Sequence, residues 1–182
     1  MHDAELLDEL DENGLQTGRQ LSRDLVHSSG AWHKTVHIWV LNPNQELLLQ
    51  QRSFTKESHP GYWDISAAGH CSSGDSSLEA ARRELREELG IEVRQQELSY
   101  LFSVVQRFIL NKGRFVDNEF CDVYLYRTRI SGEKIAIDPA EVRQVRFVNW
   151  MVLQKEYRGP DFVRHDEEYE RLFRILGEEF HR

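Results

Sequence analysis

Residues 69–91, GHCSSGDSSLEAARRELREELGI, constrain this chain more than any other stretch. Asp75 or Ser76 can cap a helix start, Ser76 and Glu79 have capping-box spacing, and Gly90 stands where a helix ends. At about 100° per residue, Leu78, Ala81, Leu85 and Leu89 form one stripe for a core, with Glu79, Arg82 and Arg86 on the far side. Glu84, Glu87 and Glu88, at i, i+3 and i+4, share the flank of that stripe. Like charges so spaced repel by a few tenths of a kcal/mol per pair, and partial burial raises the cost unless something positive lies among them. Two readings of this face stand about even. One is a solvated acidic flank with ion pairs to Arg83 and Arg86. The other is a site for a hard divalent cation such as Mg²⁺, which prefers oxygen ligands and commonly joins carboxylates to substrate phosphates.

The remainder mixes strands and helices. An Asn13-Gly14 turn signal suggests a short hairpin within an N-terminal extension, residues 1–30. TVHIWVLNPNQELLLQQRS reads as two strands turning at Asn42-Pro43-Asn44, and ELSYLFSVVQRFI with FVDNEFCDVYLYRTRI as two more around Asn111-Lys112-Gly113. VRQVRFVNW reads as a strand, and Tyr169, Leu172, Phe173, Leu176 and Phe180 recur at helical spacing. There is no strict βαβ alternation and no GxGxxG after a strand, which disfavours a doubly wound dinucleotide fold. With 182 residues and 40% apolar content, a single domain spanning 1–182 is expected. The absence of a leader pattern or membrane-length apolar run points to the cytoplasm, and Cys71 and Cys121 are expected as reduced thiols. A formal charge of −8 opposes general attraction to nucleic acid or anionic membrane, so an anionic substrate needs a local basic cluster or a metal ion.

Residues 69–91 resemble the Nudix box: glycine, five residues, a carboxylate, seven residues, Arg-Glu-aliphatic, one residue, Glu-Glu, one residue, Gly-aliphatic. The pattern falls on Gly69, Asp75, Arg83-Glu84-Leu85, Glu87-Glu88 and Gly90-Ile91. The resemblance implies an α/β fold, an α/β/α sandwich with a mixed sheet, in which the box forms a loop-helix-loop. It also implies that Glu84, Glu87 and Glu88 bind Mg²⁺, or Mn²⁺ in its place, at a diphosphate bond. The only departure is Asp75, where the family has Glu. That residue pairs in the family with the arginine matching Arg83, so the shorter side chain bears on this support more than on the metal site.

A narrower likeness, to the Nudix proteins similar to isopentenyl-diphosphate isomerase, runs from about Leu7 through the strand after Asn118. It is carried by ENGLQTG, RDLVHSSGAWHKTVHIWV, LLLQQRSFTKESHPGYWDISAAGH and DNEFCDVYL. It implies Arg52 and Lys56 as diphosphate contacts, and the two would supply the local positive charge an acidic protein needs. His33, His70 and Glu119 match positions that help hold the isomerases' metal, and His27 lies near another. The plainer reading makes His33 and His70 hydrogen-bonded loop histidines, and His37 a structural residue within a strand. Two features oppose isomerase chemistry. Ala68 stands where the isomerases have their catalytic cysteine, with Cys71 three residues beyond it, and the acids at 84 and 87 that the isomerases lack are present here.

The expected function is a metal-dependent pyrophosphohydrolase acting on a small-molecule nucleoside diphosphate derivative or related organic diphosphate. Glu88, Glu87 or Glu119 would accept the proton of the attacking water, with Arg83 beside them. The alternatives are an isopentenyl-diphosphate isomerase-like enzyme and a non-catalytic module that binds a diphosphate. Gly69 or Ala68 could lend a backbone carbonyl to a metal. Tyr157 and Phe162 are aromatic residues of the C-terminal region, where family specificity largely lies, but they carry no decisive signature.

Overall fold

The computed structural model describes residues 5–129 and 134–180. Leu6–Leu10 (β1) and Gln16–Ser22 (β2) pair antiparallel across a turn where the Asp11 carboxylate accepts from the N–H groups of Asn13 and Leu15, each at 2.9 Å. Arg23–Ser29 (α1) follows, capped by the Ser22 side chain at one end and by left-handed Gly30, φ 69°, at the other. This helix was not among the sequence expectations, although Ser22 and Gly30 are ordinary start and stop signals. Trp32–Leu41 (β3) and Glu46–Arg52 (β4) are the strands expected around Asn42-Pro43-Asn44. Trp63–Asp64 (β5) and Ala67–His70 (β6) lead into Ser77–Leu89 (α2). Leu98–Leu110 (β7) and Phe115–Arg127 (β8) make a long hairpin, and Val142–Asn149 (β9) runs into Trp150–Glu156 (α3), a second unanticipated helix that Asn149 caps. Asp166–Phe180 (α4) ends the described chain.

The sheet is mixed. β3 runs parallel to β8, from Trp32 opposite Asn118 to Leu41 opposite Arg127, and antiparallel to β6, with His37 opposite Ala68. Because strand side chains alternate, β3 feeds two cores. Val36, Ile38 and Val40 pack with Ala80, Ala81, Leu85 and Leu89 of α2. Trp39 and Leu41, with Cys121, Val123 and Leu125 of β8, pack with Tyr169, Leu172, Phe173 and Leu176 of α4. A strand covered on both faces reads as a continuous apolar run, as Ile38–Leu41 of β3 does. The result is the α/β/α arrangement, and each fully buried aliphatic or Phe side chain contributes about 1.5–3 kcal/mol through burial.

Toward the start of β3 the side chains on the α4 face change character. Thr35 and His37 of β3, Phe108 and Leu110 of β7, and Asp117 and Glu119 of β8 line a cavity of about 680 Å³ instead of an apolar core. The acidic edge of α2 forms another wall. No helix among the described residues is long and apolar enough to cross a membrane.

Candidate active site

Local sequence sets the acidic wall. Ser76, not Asp75, is the N-cap of α2. Its hydroxyl accepts from the Glu79 N–H at 3.3 Å, and the Glu79 carboxylate accepts from the Ser76 N–H at 3.0 Å. Ala80 joins the buried stripe, and Glu84 and Glu88 are buried beside it, whereas the Glu87 side chain is 50% exposed. The three glutamates therefore share an edge of the helix but not an environment. Glu84 lies directly over Gly69 of β6, so closely that a Cβ there would collide with its carboxylate. Glu88 accepts from the Ala68 N–H at 3.2 Å and from Gln50 Nε2 at 3.1 Å. Burial pushes the Glu84 carboxyl up to about 7, against the pull of Arg83. Burial and the Glu84 charge push Glu88 up to about 8.

Arg83 ties this edge together. Its Nη1 donates to Glu84 at 2.6 Å and to Glu87 at 3.5 Å, and its Nη2 donates to the His70 carbonyl at 2.7 Å. Its Nε points toward Asp75 but stops 3.8 Å short, outside hydrogen-bond range, and has no hydrogen-bond partner among the described residues. Arg86 also pairs with Glu87, at 3.3 Å.

A second cluster faces the same cavity. His27 of α1, His33 of β3 and His70 of β6 form a triangle with ring centroids 5.2–5.3 Å apart. His33 and His70 thus lie in paired strands, not in loops as the plainer sequence reading had them. The Nε2 atoms of His27 and His33 are each 3.4 Å from Asp117 Oδ1, and Glu119 Oε1 is 3.9 Å from His33. His33 Nε2 and Asp117 Oδ1 are buried without hydrogen-bond partners among the described residues. Burial holds His33 below the usual histidine range, and burial with the neighbouring His33 and His27 charges holds His70 well below it. Burial and then Asp117 push the Glu119 carboxyl well above its usual range. Neutral imidazoles, crowded carboxylates and orphaned buried polar atoms are what a divalent cation would satisfy, so both clusters fit one.

Arg52 and Lys56 also line the cavity, but their heads are engaged. Arg52 donates to the Ser58 carbonyl at 3.0 Å, the Ser58 hydroxyl at 2.9 Å and Asp64 at 3.1 Å, and Lys56 pairs with Glu141. Tyr157 and Phe162 are away from the cavity lining, buried in the α4-side core. Sequence reasoning missed Asp117 and Glu168. Asp117 sits two residues before Glu119, on the same face of β8, and Glu168 falls four residues before Leu172, in phase with the apolar stripe of α4. Acids in phase with a buried face were the available signal.

The NUDIX domain family matches residues 31–172. Nudix hydrolase 3 of Arabidopsis thaliana is 40% identical over 183 residues, covering 94% of this chain but only 23% of that protein. An isopentenyl-diphosphate Delta-isomerase of Pectobacterium atrosepticum is 30% identical over 138 residues, 76% of this chain and 73% of the isomerase. The fold matches that of the DR0079 protein of Deinococcus radiodurans, with a TM-score of 0.69 at 23% identity over 92% of this chain and 98% of that one. With the family match spanning β3 to α4 and the box glutamates gathered at one cavity, the chain belongs to the NUDIX domain family and is a Nudix hydrolase.

Proposed function

We propose a Mg²⁺-dependent pyrophosphohydrolase, with Mn²⁺ able to substitute, that cleaves the diphosphate bond of a nucleoside diphosphate derivative or a related organic diphosphate. The observation that carries this reading is the pair of buried carboxylates, Glu84 and Glu88, beside Gly69 and Ala68 at a cavity of about 680 Å³, a volume suited to a small-molecule ligand. Glu84, Glu87 and Glu88 would hold the cation. A bound divalent ion supplies electrostatic stabilisation of charge on the phosphate oxygens. His27, His33, His70, Asp117 and Glu119 form a donor set for a further ion.

Arg83 fixes the orientations of Glu84 and Glu87 through Nη1, while Nη2 is anchored on the His70 carbonyl. Glu87, Glu88 and Glu119 are the candidates to take the proton of the attacking water, and burial gives Glu88 and Glu119 the raised proton affinity suited to a base. Arg52 and Lys56 stand at the cavity as diphosphate contacts. Lys56 would exchange its partner Glu141 for phosphate, whereas Arg52 keeps Asp64 and donates with its remaining hydrogens. The N-terminal hairpin is read as an extension of the same domain, because Ser73 N–H donates to the Leu6 carbonyl at 2.7 Å just ahead of α2.

The histidine cluster is the observation that favours a second reading, an isomerase-like enzyme. Against it, burial pushes the Cys71 thiol up to about 12, so it holds its proton at neutral pH, and Ala68 offers no thiol. Incubating the protein and Mg²⁺ with nucleoside diphosphate derivatives, dinucleotides, coenzyme A and prenyl diphosphates tests the proposal. Monophosphate-containing products support it, and dimethylallyl diphosphate formed from isopentenyl diphosphate would replace it with the isomerase reading.

A further inference from the structure

Where β3, β7 and the start of α4 meet, the cavity wall carries a buried polar chain that ends at the Asp64 carboxylate holding Arg52. His37 Nδ1 donates to Glu168 Oε2 at 2.6 Å, and the same carboxylate accepts from Trp39 Nε1 at 2.7 Å and Gln106 Nε2 at 3.3 Å. The Gln106 Oε1 atom lies 2.8 Å from His165 Nδ1, and His165 Nε2 lies 3.0 Å from Asp64 Oδ1. Both His165 nitrogens thus meet oxygen acceptors. His37 and His165 line the cavity, with ring centroids 4.8 Å apart. Burial opposes a charge on His37, but the Glu168 carboxylate raises the ring above the usual histidine range, and in the imidazolium so held Nδ1–H goes to Glu168 and Nε2–H is the donor left for the cavity.

Stability does not explain this arrangement. A buried ion pair is often no more stabilising than well-packed apolar side chains of similar volume, and α4 supplies such side chains on every other inward position near Glu168. What the pair provides is a fixed donor aimed at a ligand. The apolar ring at this end, Phe108, packs edge-on against His59 and His165 at 5.7 and 5.8 Å, and so belongs to a wall made largely of imidazoles.

We propose that His37, locked by Glu168, is a specificity-determining residue of the hydrolase. Its Nε2–H is donated to an oxygen on an organic group that the scissile diphosphate carries. The enzyme thereby selects diphosphates whose organic group is hydroxylated or charged, such as a nucleoside or sugar, and rejects those carrying only a prenyl chain. A buried donor facing hydrocarbon would lose its solvation with nothing in return, the basis of the strongest discrimination by hydrogen-bonding sites. This inference rests on the hydrolase reading above.

The test compares kcat/KM for ADP-ribose and geranyl diphosphate with Mg²⁺, in wild type, His37→Leu and the double variant His37→Leu/Glu168→Gln. The double variant removes the charge that the single change would orphan, which keeps the fold testable. Wild type should favour ADP-ribose at least about 100-fold, and the double variant should shrink that ratio by about 10- to 100-fold. Calorimetric binding of α,β-methylene ADP with Mg²⁺ should weaken by about tenfold in the same variant. Comparable wild-type rates on both substrates, or an unchanged ratio and affinity in a folded double variant, would overturn the inference alone. Cleavage of neither compound, nor of any other diphosphate screened, would overturn the hydrolase reading on which it stands.

Discussion

Asp75 is one methylene shorter than its position in the box calls for, and the structure shows the consequence in a single distance. Its carboxylate stops 3.8 Å from Arg83 Nε, a buried donor with no hydrogen-bond partner among the described residues. Asp75→Glu adds about 1.5 Å of chain, enough to bring an oxygen into the range near 2.9 Å. A hydrogen bond to a charged group is worth about 1.5–3 kcal/mol. Asp75 is 37% exposed and Arg83 25%, so solvent screening reduces the expected gain to about 1 kcal/mol. For a chain of this size that raises the melting temperature by about 2–4 °C. Turnover should hold or rise, because Arg83 orients Glu84 and Glu87. Asp75→Ala should lower turnover, and Asp75→Asn should fall toward Ala. A deficit in the Asn variant cannot be assigned to capping, since Ser76 holds the cap. Thermal melts and initial rates on a cleaved diphosphate decide the matter. A wild-type melting temperature in Asp75→Glu, together with wild-type rates in Asp75→Ala and Asp75→Asn, would refute the reasoning.

Other variants probe the rest of the site. Glu88→Gln should weaken Mg²⁺ binding and cut turnover by about 100-fold or more without lowering the melting temperature of the metal-free protein, because it removes a crowded charge but little volume; an unchanged rate at saturating metal and substrate would remove Glu88 from the cation site. Gly69→Ala should displace the Glu84 carboxylate and cost about 1–3 kcal/mol with a loss of activity, checked by urea unfolding and rate. Burial alone would raise the Asp64 carboxyl, but the His165 hydrogen bond and charge, with Arg52, hold it well below the usual range. The stability this confers is complete above the unfolded value of about 3.9 and is lost as pH falls through the lower folded value. The stability gap between wild type and Asp64→Asn should therefore hold steady at pH 5–6 and narrow below about pH 4; a gap that widens in acid would contradict the ion pair. Cys71→Ser should keep hydrolytic activity, and a variant that loses it would give that thiol a role its buried, protonated state does not suggest.

Much of the acidic edge of α2 was legible in the linear sequence because a helix brings i, i+3 and i+4 together by local geometry. The capping box, the ending at Gly90 and the shared flank of Glu84, Glu87 and Glu88 all follow from residues within a few turns of one another. The strand pairs around Asn42-Pro43-Asn44 and Asn111-Lys112-Gly113 were legible for the same reason, since a turn and the runs beside it are local. Burial was not. That Glu87 faces solvent while Glu84 and Glu88 lie against β6 depends on how that preceding strand folds back along α2, and the engagement of Arg52 by Asp64 and of Lys56 by Glu141 likewise depends on contacts outside each residue's own element. The histidine triangle joins α1, β3 and β6, and the chain from His37 through Glu168, Gln106 and His165 to Asp64 joins four segments, β3, β5, β7 and the start of α4. Local rules place each of these side chains on a face of its own element; only sheet pairing and the docking of α4 bring those faces to the same cavity, because such contacts depend on long-range closure that no short window of sequence contains.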